Sequence, residues 1–162
     1  MDVTVHGCAS FDADLIKRLF LHNNIKGNKM KVYATVEREP GEKNFSCLLE
    51  IDSLKSSVLG VGNTAKQAIE DMQNGLNDLK ECLKEEGKSM PELEIEYRFD
   101  IGALFSYYDF LNMAGVSRAV GITPSVIRQY VVGNRKPSEA RKKQIETGLK
   151  VLARQIQLAR IY

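Results

Sequence analysis

The chain has 162 residues, 43% of them hydrophobic and 27% charged, and a formal net charge of +2. That length fits one domain or two small ones with real hydrophobic cores. No apolar run reaches the length of a membrane span, no signal-peptide core stands at the N-terminus, and Cys8, Cys47 and Cys82 are too scattered for a disulfide frame or a zinc site, so we expect reduced cysteines in a cytoplasmic protein.

Residues 1–29 carry little pattern beyond a short amphipathic run, Asp14–Leu21, which Asn23-Asn24 and Gly27-Asn28 interrupt. Met30 stands directly before the first strand-like run, and Lys26-Gly27 are encoded by a purine-rich stretch that suits a ribosome-binding site. Two readings stay open. Either Met30 is the true start and residues 1–29 are a translated leader or mis-called extension, or they are a genuine arm that uses Leu15–Leu21 against a partner.

From Met30 the pattern changes. Lys31–Glu37 and Phe45–Ile51 alternate like strands, with Pro40-Gly41 between them as a hairpin signal. A shorter strand is expected over Ser57–Leu59, followed by the connection Gly60-Val61-Gly62-Asn63. Thr64 and Gln67 then form a capping box for a long helix reaching about Lys84. Its core face is Ala65, Ala68, Ile69, Met72, Leu76, Leu79 and Leu83, at steps of three and four. Gly87 to Pro91 closes it, and Leu93–Phe99 alternates as a half-buried strand. Residues 30–99 therefore read as a β-β-β-α-β module, and everything after Asp100 reads as helical. The expected class is α+β, with an all-α domain over residues 100–162.

Catalytic chemistry finds little support. Gly60-Val61-Gly62-Asn63-Thr64-Ala65 has the outline of a dinucleotide-binding turn, but the charged loop Lys84–Ser89 follows its helix where a second parallel strand ending in an acid is expected, and the module is too small for a doubly wound sheet. We expect the glycines to make a tight connection and no cofactor to bind. Both histidines, His6 and His22, fall in the unpatterned head, and no His/Cys/carboxylate cluster has metal-ligand spacing. Glu94 and Glu96 on alternate strand positions suit a wet face better than an acid/base couple. We read no enzyme here.

The segment Gly121–Ser138, GITPSVIRQYVVGNRKPS, is the most informative of the chain. It reads as a turn, a short helix and a basic corner, the layout of the second half of a helix-turn-helix. Thr123 suits the N-cap and Pro124 the first helical position, where a missing donor costs nothing. Ile127 and Tyr130 can face inward while Ser125 and Gln129 share the opposite face. Gly133 suits the left-handed residue that ends the helix. Ala114 and Gly115 stand where a capping Ser and a good helix former are wanted, so the first helix of the motif is expected to be weak.

Charge is distributed to match. Ser117–Tyr162 holds ten Lys+Arg against Glu139 and Glu146, a net of +8, whereas Met30–Asp100 holds nine against fifteen acids, a net of −6. A basic end that also carries the motif is what contact with DNA phosphates requires. Thr123, Ser125 and Gln129 are the expected base-edge readers, Gln being able to pair bidentately with adenine. Arg128 can reach a guanine or a phosphate, and Arg118, Arg135 and Lys136 are expected on phosphates. In the last helix Ile145, Leu149, Leu152, Ile156 and Ala159 form a seam whose end, beyond Leu152, is expected to dimerise.

Taken together, the β-β-β-α-β module with Gly62-Asn63-Thr64 opening its helix, the junction EIEYRFDIGALFSYYDFLN and the GITPSVIRQY and GNRKPSEARKKQIETGLKVL segments resemble HicB-type antitoxins, in particular the Bacteroides-like versions, over about Met30 to Ile156. The resemblance implies an N-terminal module that is a degenerate RNase H-like half-fold and masks a small HicA-type toxin, an mRNA-cleaving ribonuclease. It also implies a C-terminal half that binds the operator of the gene pair as a dimer, which would associate the protein with the nucleoid. The alternative is a stand-alone helix-turn-helix transcription regulator without a toxin partner.

Overall fold

The computed structural model describes residues 29–161. The Asp14–Leu21 run, Cys8, His6, His22 and the two readings of the head lie outside the described residues. Strands β1 (Met30–Glu37), β2 (Phe45–Ile51) and β3 (Ser56–Gly62) precede helix α1 (Ala65–Glu85), and β4 (Leu93–Phe99) follows it. Then come α2 (Ile101–Tyr107), α3 (Met113–Val120), α4 (Pro124–Val131) and α5 (Glu139–Leu158). The chain is thus α+β, with a mixed four-stranded sheet in the order β3-β2-β1-β4. β1 runs antiparallel to β2 and parallel to β4, and β2 runs antiparallel to β3.

Alternation decides the faces of this sheet. Val32, Ala34, Val36, Cys47, Leu49, Ile51 and Val58 point to one side and are buried there under Ala68, Ile69, Met72 and Leu76 of α1. Leu79, expected in the same row, is only partly buried against this core. At the start of α1 the Thr64 hydroxyl accepts the Gln67 N–H at 3.2 Å, the cap expected from the sequence. Burial also acts on chemistry: removal from water pushes the Cys47 thiol up to about 11, so it stays protonated at neutral pH.

The glycine pair lies elsewhere than expected. Gly60 and Gly62 are not a connection but the last part of β3, paired with Cys47 and Phe45 of β2. α1 lies so close over them that a Cβ on Gly60 would run into the backbone of Ala68 and Met72, and one on Gly62 would meet Gln67 and Ala68. Close helix-on-strand approach, rather than phosphate binding, explains both residues. The Val61 N–H donates to the Asp71 carboxylate at 2.8 Å. Against expectation, a parallel strand ending in an acid does follow α1: β4 runs parallel to β1 and Asp100 comes next.

A second cluster of buried residues forms among the later helices: Val116, Val120, Ile122, Ile127, Tyr130 and Ile145. α5 crosses α3 at Gly148, whose missing side chain leaves room for Val120, and Gln144 donates to the Val120 carbonyl at 2.7 Å. No helix among the described residues is long and apolar enough to cross a membrane.

The two clusters are joined through α2. Asp100 caps it: one carboxylate oxygen accepts the Ala103 N–H at 2.6 Å and the other accepts the Arg38 main-chain N–H at 3.1 Å. The Arg38 guanidinium donates to the Val131 carbonyl at 3.1 Å, at the end of α4. Ser106 of α2 accepts the Ala65 N–H at 3.1 Å, satisfying a donor that the first turn of α1 leaves free. Gly102 lets α2 approach α4, since a Cβ there would sit 2.7 Å from the Val131 carbonyl oxygen.

Candidate nucleic-acid interface

α3 and α4 are short helices joined by Gly121-Ile122-Thr123, with Gly121 in the left-handed region at φ 67°. Their apolar sides meet: Val116 and Val120 of α3 pack with Ile122 and with Ile127 and Tyr130 of α4. This inward pair is the one read from the three-residue spacing of the sequence. It fixes the rotation of α4, so Ser125, Arg128 and Gln129 are exposed on the other side. Thr123, Arg118, Arg135 and Lys136 are exposed as well. All seven residues expected to touch DNA are therefore open to solvent, in or beside one pair of helices.

Two local expectations are corrected. Thr123 stands at the N-cap position of α4 with extended backbone angles, but its hydroxyl accepts no main-chain N–H. It lies instead 3.4 Å from the Ser125 hydroxyl, at the second helical position, so the two side chains satisfy each other locally rather than the main chain. α3 is better supported than Ala114 and Gly115 suggested. Its cap is Asn112, whose side-chain oxygen accepts from both Ala114 and Gly115 N–H at 2.9 and 3.2 Å. An Asn just before a Met-Ala-Gly start was the signal available in the sequence.

Gly133 fulfils its expected role, taking φ 80° just after α4. The chain then turns through Arg135 and Lys136, and the Arg135 N–H reaches back to the Gln129 carbonyl at 3.3 Å. That bond holds the basic corner against the end of the helix. Ser138 caps α5 by accepting the Arg141 N–H at 3.4 Å.

Electrostatics reinforce the geometry. The only acids of the basic end are spent within α5, Glu139 on Lys142 and Glu146 on Lys150. Among the described residues, Arg118, Arg128, Arg135 and Lys136 form no ion pair, so their charges face solvent uncompensated. Exposed unpaired cations around a helix with polar outward side chains can neutralise a polyanion and offer hydrogen bonds to it.

The end of the α5 seam is also open. Ile145 is buried and Leu149 and Leu152 are half-buried, but Ile156 is 66% exposed and Ala159, just past the end of the helix, is exposed as well. Comparison of the chain with family models, with curated proteins and with solved structures finds no match.

Proposed function

We propose that this chain is an antitoxin of the HicB type that represses its own operon by binding operator DNA, with α3 and α4 as the helix-turn-helix and α4 as the helix that enters the major groove. The observation that carries the reading is the outward row Ser125, Arg128 and Gln129 on α4, set among the unpaired charges of Arg118, Arg135 and Lys136. In this docking Ser125 and Gln129, with Thr123 at the helix start, read base edges. The remaining cations hold phosphates and set the register.

The strand order β3-β2-β1-β4 with a helix on one face supports reading residues 30–99 as the degenerate RNase H-like half-fold of such antitoxins. The net charge of −6 over Met30–Asp100 suits a small basic toxin as partner. Dimerisation runs through the exposed end of α5, because Ile156 and Ala159 carry the seam on into water, where a second copy would cover them. A dimer also matches the two half-sites that helix-turn-helix operators present.

A gel-shift series on the region upstream of the gene tests the DNA reading. Gln129→Ala relaxes specificity at one base position at a cost of roughly 1–3 kcal/mol, whereas Lys136→Ala weakens all sequences alike and lowers the salt slope by about one. Unchanged binding in both variants refutes the docking. Co-purification with a small basic protein encoded beside this gene tests the toxin partnership separately.

A further inference from the structure

Between the β1–β2 side of the sheet and the helices lies an open cleft of about 730 Å³, whose walls include Arg38, Phe45, Phe105, Asp109, Phe110 and Met113. Its volume falls in the roughly 300–1,000 Å³ range of small-molecule sites, which favour junctions between packed units and combine apolar walls with a few polar groups.

Arg38 is the polar group that stands out. It is half-buried, its guanidinium lies 4.9 Å from the Phe45 ring centroid, and one of its N–H groups is used on the Val131 carbonyl. Among the described residues no carboxylate pairs with that guanidinium, since Asp100 takes the main-chain N–H instead. A cation drawn partly out of water beside aromatic rings, with donors to spare, matches the planar fork of a carboxylate. Asp109 on the same wall opposes negative charge, which disfavours an occupant that carries more of it than one carboxylate.

Phe110 supplies a further observation. It lines the cleft yet is 77% exposed, beside Tyr108 at 5.8 Å between ring centroids. An aromatic ring held in water at the rim of a cleft loses exposed area when an apolar body fills the space beneath it.

We propose that this cleft binds a small monocarboxylate with an aromatic or branched apolar body, its carboxylate on Arg38 and its body among Phe45, Phe105 and Phe110. The occupant draws on the same guanidinium that holds the Val131 carbonyl, so the ligand sits where α4 is tied to the sheet. The site goes beyond the antitoxin reading and does not require it, and its test needs no DNA.

The test is a fluorescence titration of the full chain with 8-anilinonaphthalene-1-sulfonate, an aromatic monoanion, followed by competition with phenylacetate and with phenethylamine. Expected are saturable one-site binding, displacement by phenylacetate and none by the amine of similar shape. Arg38→Met raises the dye Kd about tenfold, and Phe110→Ser raises it several-fold. Phe110 is exposed and not part of either core, so its variant keeps the fold and the far-UV circular dichroism of the parent. Equal displacement by the amine, absence of saturable binding, or parental affinity in Phe110→Ser overturns the proposal.

Discussion

Removing the Asp100 carboxylate is expected to lower the melting midpoint by about 6 °C. The side chain serves two main-chain donors, Ala103 N–H at 2.6 Å and Arg38 N–H at 3.1 Å, and both bonds are partly buried. Loss of a helix N-cap costs about 1 kcal/mol. A half-buried N–H left without a partner adds about 1 kcal/mol more. For a chain of this size each kcal/mol moves the midpoint by roughly 2–4 °C, which gives the stated shift for Asp100→Ala. Asp100→Asn keeps one acceptor oxygen and presents an amide to the other donor, so about half the loss is expected. Arg38→Met spares both bonds, because only the main chain of Arg38 is engaged by Asp100. Thermal unfolding followed by circular dichroism reads all three. If Asp100→Ala melts within 1 °C of the parent, or Asp100→Asn falls as far as Asp100→Ala, the assignment of one oxygen to each donor is wrong.

Further outcomes follow from other sites. Gly60→Ala places a methyl against the backbone of α1, which cannot turn aside as a side chain could, and should cost roughly 3 kcal/mol in the same melt. Gly115→Ala meets only the Asn112 Cβ at 3.9 Å and should instead stabilise α3 by about 0.5–1 kcal/mol, a sign difference that unfolding curves resolve directly. Cys47 should resist thiol reagents at neutral pH in a Cys8→Ser/Cys82→Ser background until the chain unfolds. Because its folded pKa is raised from 9.0 to about 11, its contribution to stability is present below pH 9 and is lost as pH climbs through that window, a loss that Cys47→Ala should remove in alkaline melts. Ile156→Glu should shift the protein to a monomer by light scattering at micromolar concentration, and a dimer that persists would move the interface away from the end of α5.

Local signals were legible in the sequence and distant ones were not. The period of α1, the Thr64 cap, the alternation of Leu93–Phe99 and the inward pair Ile127 and Tyr130 all depend on neighbours within a turn or a strand. So does the left-handed glycine after α4. The same local logic failed at Thr123, whose hydroxyl meets the Ser125 hydroxyl two residues on rather than a main-chain N–H, and it overlooked Asn112. β3 was read too short because Gly60 and Gly62 break strand propensity, and only pairing with β2 and the approach of α1 make them strand residues. Arg38 gave no signal at all. Its guanidinium meets Val131 across 93 residues of sequence, a contact that no window contains. Of the proposed DNA-contacting residues, the exposed positions could be read from the helix period, whereas the lack of ion pairs around them required the fold.

The parallel pairing of β1 with β4 has a kinetic consequence. Met30 lies beside Leu93 and Val36 beside Phe99, so the inner edge of β1 waits for a strand made some sixty residues later. β2 can join β1, and β3 can join β2, as soon as their hairpins close, since both connections are local. The fourth strand must first bring α1 over the sheet, and non-local closure of this kind sets the pace of folding. Until then Val32, Ala34 and Val36 stand in a strand with one unpaired edge, the stage at which a growing chain is most open to pairing with another. Refolding should accordingly slow and scatter light as protein concentration rises, and a variant that hastens α1 should do so least.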